Sequence, residues 1–318
     1  MRGLPPHQYH HRPRCLSALQ TKPESDHMYS GSIVAIVTPM TETGEVDYAA
    51  WDRLLDWHLA QGTDGIVVCG TTGESPTVTL AEALELTRRA VARLEGRLPV
   101  IAGSGTNDTA ASIERTRALA AAGADAVLVV TPYYSKPTQE GLYQHFTAIA
   151  DDSPVPVILY NVPGRTGVDM LPATVGRLAQ HPRIVAIKEA VAGDERVREL
   201  RAACGEDLDV LSGDDPTAVD AILAGAKGVI SVTANVAPAA MSAVCEAALA
   251  GDIEAVRAAD APLRVLHGAL FVEPNPIPAK WAVHRLGFIG TGIRLPLTPL
   301  TVGAQADVLA AMTAAGVA

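Results

Sequence analysis

Ile184-Val185-Ala186-Ile187-Lys188 is an apolar run closed by a lysine. Such a run, with no polar alternation, reads as a strand buried on both faces, as in a parallel sheet or barrel. The C-terminal ends of such strands are where α/β folds carry their active sites. A lysine held there is a usable nucleophile toward carbonyl carbons. By itself, a lysine that leaves a strand for water is the commoner case. The segments around it decide the matter.

Working outward, short β-branched runs recur at Ile33–Val37, Gly65–Cys69, Pro99–Ala102, Ala126–Val130, Val155–Tyr160, Val185–Lys188, Asp209–Leu211 and Gly228–Val232. Most lie roughly 25 to 35 residues apart, the length of one βα unit. Amphipathic stretches fill the gaps. Asp47 reads as the N-cap of a helix carrying Trp51, Leu54, Leu55 and Leu59 on one face, with Gly62 just past its end. Thr79 and Glu82 have the spacing of a capping box. Eight βα units in series predict a TIM (β/α)8 barrel, with an open doubly wound sheet as the alternative. After Val232 the pattern is helical, over 237–249, 253–268, 277–287 and 302–315. The expected organisation is an extension over 1–27, a barrel over 28–250 and a C-terminal helical segment over 251–318. The extension holds His7, His10 and His11, several prolines and no signal-peptide core, and Met28 is the expected biological start.

Strand ends carry the candidate chemistry. Gly70-Thr71-Thr72-Gly73-Glu74-Ser75 follows the second strand, a tight loop whose N–H groups and hydroxyls suit a carboxylate. It lacks Walker spacing. Thr131-Pro132-Tyr133-Tyr134-Ser135-Lys136-Pro137 is a proline-bounded loop able to hold a phenol for acid–base work, although tyrosines in loops more often only pack. Tyr160-Asn161-Val162-Pro163-Gly164-Arg165-Thr166-Gly167 closes the fifth strand, one βα unit before Lys188. On adjacent strands Tyr160 and Lys188 would stand about 5 Å apart, phenol beside amine. Arg165 is then a cation for a substrate carboxylate. In Ser212-Gly213-Asp214-Asp215, no further ligand accompanies the aspartates, and Asp215 reads as a helix N-cap ahead of Pro216. His58 and His145 read as structural.

Composition narrows the function classes. Hydrophobic residues make up 48% and charged residues 19%, enough for a folded core. A net charge of −10 argues against nucleic-acid binding, and no run reaches the length of a membrane span. Cys15, Cys69, Cys204 and Cys245 lack metal-ligand spacing and read as reduced cytoplasmic thiols.

Taken together, Gly70–Ser75, Thr131–Pro137, Tyr160–Gly167, Ile187–Ala190, Ser212–Asp215, Gly228–Val236 and Phe271-Val272-Glu273-Pro274-Asn275-Pro276-Ile277-Pro278 closely resemble the dihydrodipicolinate synthase family, among the pyruvate-dependent class I aldolases. The likeness runs from about Met28 to the C-terminus. It implies condensation of pyruvate with L-aspartate 4-semialdehyde through a Schiff base on Lys188. It also implies a proton relay of Tyr160, Thr72 and Tyr134, the last from a neighbouring subunit of a homodimer or homotetramer. By the same resemblance, Thr71 and Thr72 hold the pyruvate carboxylate, Arg165 binds the semialdehyde carboxylate, and Gly213 and Ile230 line the site. No metal or organic cofactor is implied, since the lysine is the electron sink. The alternatives are a sister aldolase, such as an N-acetylneuraminate lyase or a 2-keto-3-deoxy sugar acid aldolase, and a catalytically silent pyruvate-binding barrel. Where lysine-inhibited members of the family carry effector-binding histidines and a glutamate, this chain has Leu80, Ala83 and Ala111.

Overall fold

A computed structural model describes residues 29–317, so the expected extension over 1–27 lies outside the described residues. Eight strands form one sheet: β1 (Gly31–Ala35), β2 (Gly65–Val68), β3 (Val100–Gly103), β4 (Ala126–Val130), β5 (Val157–Asn161), β6 (Ile184–Glu189), β7 (Asp209–Ser212) and β8 (Gly228–Ser231). Each pairs in parallel with the next, and β8 pairs with β1, closing the barrel and excluding the open sheet. The strands are apolar throughout because both faces are covered. Ile33, Val67, Ile101, Leu128, Ile158 and Leu211 fill the barrel interior. Their neighbours, among them Val34, Ile66, Val129, Leu159 and Ile187, pack under the helices. Tyr29 joins the interior layer beside the start of β1, its hydroxyl donating to the Asp125 carbonyl at 3.5 Å.

One irregularity matters for everything above it. Val157 pairs with Ile184 but Ile158 pairs with Ala186, so Val185 is an extra residue on β6. A bulge of this kind shifts register by one, and in a strand that exchanges the two faces. Beyond it Tyr160 stands opposite Lys188 and Asn161 opposite Glu189.

Helix signals in the sequence hold where local chemistry sets them. The Asp47 side chain accepts from the Ala50 N–H at 2.9 Å, and Thr79 with Glu82 makes a complete capping box. The stretch expected as one helix over 253–268 is two, Ile253–Asp260 and Arg264–Ala269. Pro262 lies between them, without an N–H to continue the ladder and with a ring that crowds the preceding turn. His58 and His145 are buried, bonded to Thr63 and Thr109, and burial lowers them to about 3 and about 4. Cys69, Cys204 and Cys245 are buried and unpaired, and burial raises the Cys69 thiol to about 12. Among the described residues no helix is long and apolar enough to cross a membrane.

The C-terminal segment is tied back onto the barrel's upper loops. Arg294 grips both oxygens of Glu82, at the start of the helix Leu80–Leu94, and donates to the carbonyls of Gly44 and Thr77 at 2.7 Å each. The Arg294 hydrogen bonds hold the Glu82 carboxyl down at about 2, against an ordinary value of 4.5. A lowered folded-state value stabilises above the unfolded value and is lost as pH falls through the folded one. Glu82→Gln keeps the capping amide oxygen but not the charge. The stability gap between wild type and Glu82→Gln, read by urea unfolding, is expected to be constant above pH 4.5 and to close between pH 4.5 and 2. A gap independent of pH over that window would refute the tether.

Candidate active site

Lys188 and Tyr160 meet at the C-terminal mouth of the barrel, both inward and both nearly buried at 5% and 6% exposure. The lysine Nζ lies 4.5 Å from the centroid of the tyrosine ring. The amine has no hydrogen bond or ion pair among the described residues, so no partner must be released before it attacks a carbonyl. Ile230 is buried in the same inward layer. Gly213 abuts the lysine stem: a Cβ there would sit 3.0 Å from Lys188 Cε, and its N–H donates to the Glu189 carbonyl at 2.7 Å.

Behind the pair, the outward residues of the same two strand ends form a charged brace. Asn161 donates to Asp169 at 2.7 Å and to both Glu189 oxygens at 3.1 Å, and accepts from the Met170 N–H at 3.0 Å. Arg196 holds Asp169 through both terminal nitrogens at 2.9 and 2.8 Å and reaches Glu189 at 3.4 Å. Burial raises the Glu189 carboxyl to about 6 despite these donors, while Arg196 holds Asp169 below its usual range. β5 and β6 are thus pinned together one residue past Tyr160 and Lys188.

The loop after β2 is more self-contained than its sequence implies. The N–H groups of Gly73, Glu74 and Ser75 bond to the carbonyls of Gly70 and Thr71. That leaves the N–H groups of Thr71 and Thr72 without an internal partner among the described residues. Cys69 and Glu74 flank the threonines at φ +52° and +59°, a region costly for side chains other than glycine. The loop is braced from a distance. Glu74, 2% exposed, accepts from Lys280 Nζ at 2.5 Å and from the Arg294 N–H at 3.1 Å. Asn275 Nδ2 donates to Thr72 Oγ1 at 3.0 Å.

Arg165 sits on the short helix Pro163–Thr166, exposed, with one Nη reaching the Asn275 carbonyl at 3.4 Å and no carboxylate partner among the described residues. Tyr134 is not brought to the lysine within this chain: it is 89% exposed and held at φ +72°, its N–H on the Thr166 carbonyl at 3.2 Å. Asp215 does not cap a helix through its side chain. Its Oδ2 accepts from the Val232 and Thr233 N–H groups at 2.8 and 2.9 Å, because the 3₁₀ turn Asp215–Thr217 points it across to the loop after β8.

Several residues here escape a reading by strand ends alone: Asn161, Glu189, Glu74, Lys280 and Asn275. Signals for them existed. Glu189 directly follows Lys188, and Lys280 interrupts the apolar stretch Ile277-Pro278-Ala279. A charge in such a place is buried only if paired.

The arrangement makes one geometric demand testable. Gly213→Ala would force its methyl against Lys188 Cε, and misplacing a reacting group by about 1 Å costs on the order of 100-fold. Formation of a borohydride-reducible adduct between Lys188 and a small 2-oxo acid is expected to slow about 10- to 100-fold, with folding retained and the melting temperature lowered, since the methyl also meets Ala190 Cβ at 3.0 Å and the Glu189 carbonyl at 3.2 Å. An unchanged rate would show that the lysine stem does not need this space.

Comparison with known proteins agrees with this geometry. Residues 28–315 match the model of the Dihydrodipicolinate synthetase family. A 4-hydroxy-tetrahydrodipicolinate synthase of Alcanivorax borkumensis is 57% identical over 278 residues, covering 87% of this chain and 95% of that protein. One from Stutzerimonas stutzeri is 55% identical over 290 residues, covering 91% of this chain and 99% of that protein. Among solved structures, the chloride-inhibited dihydrodipicolinate synthase of Acinetobacter baumannii, complexed with pyruvate, superposes with a TM-score of 0.90 at 50% identity, over 91% of this chain and 99% of that one. With a barrel closed in this order and a lysine and a tyrosine paired at its mouth, the chain belongs to the dihydrodipicolinate synthetase family.

Proposed function

We propose that this chain condenses pyruvate with L-aspartate 4-semialdehyde, the reaction of a 4-hydroxy-tetrahydrodipicolinate synthase, with Lys188 as the nucleophile. The observation that carries the reading is the Lys188 amine, without a hydrogen bond or ion pair among the described residues, 4.5 Å from the Tyr160 ring centroid at the mouth of a closed barrel. Lys188 adds to the pyruvate carbonyl carbon to give a carbinolamine, which loses water to form the Schiff base. Loss of a methyl proton gives the enamine. Its carbon attacks the aldehyde, and the amine of the second substrate displaces Lys188 as the ring closes. The imine nitrogen serves as the electron sink, so the route uses no metal or organic cofactor.

Each proton movement needs a positioned acid or base. Tyr160 stands nearest, with Thr72 and Tyr134 completing the relay. Thr71 and Thr72 hold the pyruvate carboxylate, which their unengaged N–H groups support. Arg165, exposed and without a carboxylate of its own, takes the carboxylate of the semialdehyde. Gly213 and Ile230 line the space between. The Tyr134 phenol is nine-tenths exposed in this chain, on a backbone held at φ +72°. Its exposure supports a site shared between two copies, in a homodimer or a homotetramer built from dimers. The three buried, unpaired thiols fit the reducing cytoplasm.

Treating the protein with borohydride and labelled pyruvate, then mapping peptides, is expected to place the label on Lys188. Lys188→Ala should fold, take up no label and lose nearly all turnover, and a label on another lysine would sink the assignment. Mixing Lys188→Ala with Tyr134→Phe should restore part of the activity through hybrid dimers. No recovery from the two inactive variants, with subunit exchange verified, would count against a site shared between subunits. A feedback test follows from Ala83, fully buried, and Ala111, neither of which offers a polar group to an effector ammonium. Losing such a charge-assisted bond weakens binding roughly 10- to 150-fold. Free L-lysine at sub-millimolar concentration is therefore expected to leave turnover unchanged, and marked inhibition there would contradict this.

A further inference from the structure

We infer that Asn275 is a positioning residue of the active site, which directs the hydroxyl proton of Thr72 toward the bound 2-oxo acid; this rests on the function proposed above. Three observations converge on it. Its side-chain Nδ2 donates to Thr72 Oγ1 at 3.0 Å in a contact spanning the chain from β2's loop to the C-terminal segment. Its main-chain carbonyl accepts from Arg165 at 3.4 Å, so one residue touches both groups assigned to substrate carboxylates. Its Oδ1 is buried and has no hydrogen-bond partner, although the residue is only 5% exposed.

The hydroxyl of a threonine has one proton to give and two lone pairs to receive. When an amide N–H occupies one lone pair, the other is still open to accept a proton from the relay, and the hydroxyl's own proton is not consumed and must point elsewhere. Thr72 is 2% exposed and makes no hydrogen bond through this hydroxyl other than the one from Asn275 among the described residues. On this inference the proton turns to the substrate, whose carboxylate the N–H groups of Thr71 and Thr72, partnerless among the described residues, are placed to meet. Had packing been the only requirement, an apolar side chain would fill the position without leaving Oδ1 unpaired. A buried unsatisfied acceptor kept in a native fold calls for such an explanation. The orientation of the amide is the essential point: turned over, Asn275 would take the Thr72 proton and silence the donor.

Aspartate is nearly the same shape as asparagine but can only accept when ionised. Asn275→Asp therefore captures the Thr72 proton and sets a negative charge beside two anion subsites. Asn275→Ala merely leaves the hydroxyl free to rotate. The experiment is borohydride trapping with labelled pyruvate at fixed pH, titrated to give the half-saturating concentration, on wild type, Asn275→Ala, Asn275→Asp, Thr72→Val and the two double variants. Steady-state kinetics and melting curves accompany each. Half-saturation is expected to rise about 5- to 10-fold in Asn275→Ala and on the order of 100-fold in Asn275→Asp, with KM for pyruvate moving in parallel. In the Thr72→Val background Asn275→Ala should add nothing, because the group it acts through is gone, and Asn275→Asp should keep only the part of its effect that its charge exerts directly on the substrate.

A residue that only shapes the fold gives the opposite order, the isosteric aspartate being milder than alanine, and effects of both variants that add in full to Thr72→Val. Either result overturns the inference. Should Asn275→Ala fail to fold, the aspartate variant and its double with Thr72→Val decide alone. Absence of label on wild-type Lys188 would instead bring down the reading of the reaction, a separate outcome.

Discussion

The chemistry of this molecule depends on a parity constraint. Paired residues on neighbouring parallel strands point to the same face, and successive residues alternate. Were Val185 paired in an unbroken register instead of bulged, Tyr160 would stand opposite Ile187, which packs outward under the helices. The bulge places phenol and amine on the same inward face and sends Asn161 and Glu189 together to the other. One irregularity in the ladder thus sets both the reactive pair and the brace behind it.

The braces share a physical logic. Glu189 and Asp169 with Arg196, and Glu74 with Lys280, are ionisable groups taken largely out of water. Such groups contribute little net stability, because desolvation offsets most of the Coulomb attraction at about several kcal/mol per ion. Burial holds the Lys280 ammonium below its usual range even with Glu74 against it, which shows the desolvation at work. What these pairs supply is direction. Each admits one geometry, and each fixes a loop whose backbone would otherwise relax, most plainly at Glu74 with its positive φ.

Much of the fold was legible because it follows from burial and local rules. Strands covered on both faces announce themselves as apolar runs, and Asp47 and the Thr79–Glu82 box mark helix starts through contacts three residues away. Lys188, Tyr160 and their spacing could be read the same way, since one βα unit separates neighbouring strand ends. The helix over 253–268 was misjudged because amphipathic spacing outweighed Pro262, whose missing N–H breaks the ladder whatever the pattern. Asp215 looked like a cap because its actual partners, Val232 and Thr233, arrive from the next strand's loop. Asn275, Glu74 and Lys280 were hidden for a stronger form of the same reason. Their partners lie some two hundred residues away, and no periodicity records a contact of that range.

The distant partners also set an order of events during synthesis. The last strand ends at Ser231, so every element needed to close the barrel has left the ribosome well before Asn275, Lys280 and Arg294. Until those residues emerge, Thr72 lacks its amide donor and Glu74 both its ammonium and the Arg294 N–H. A nascent or C-terminally truncated chain therefore carries all eight strands before the loop after β2 has the partners that brace it. Only a chain translated through Arg294 can hold the full set of these contacts.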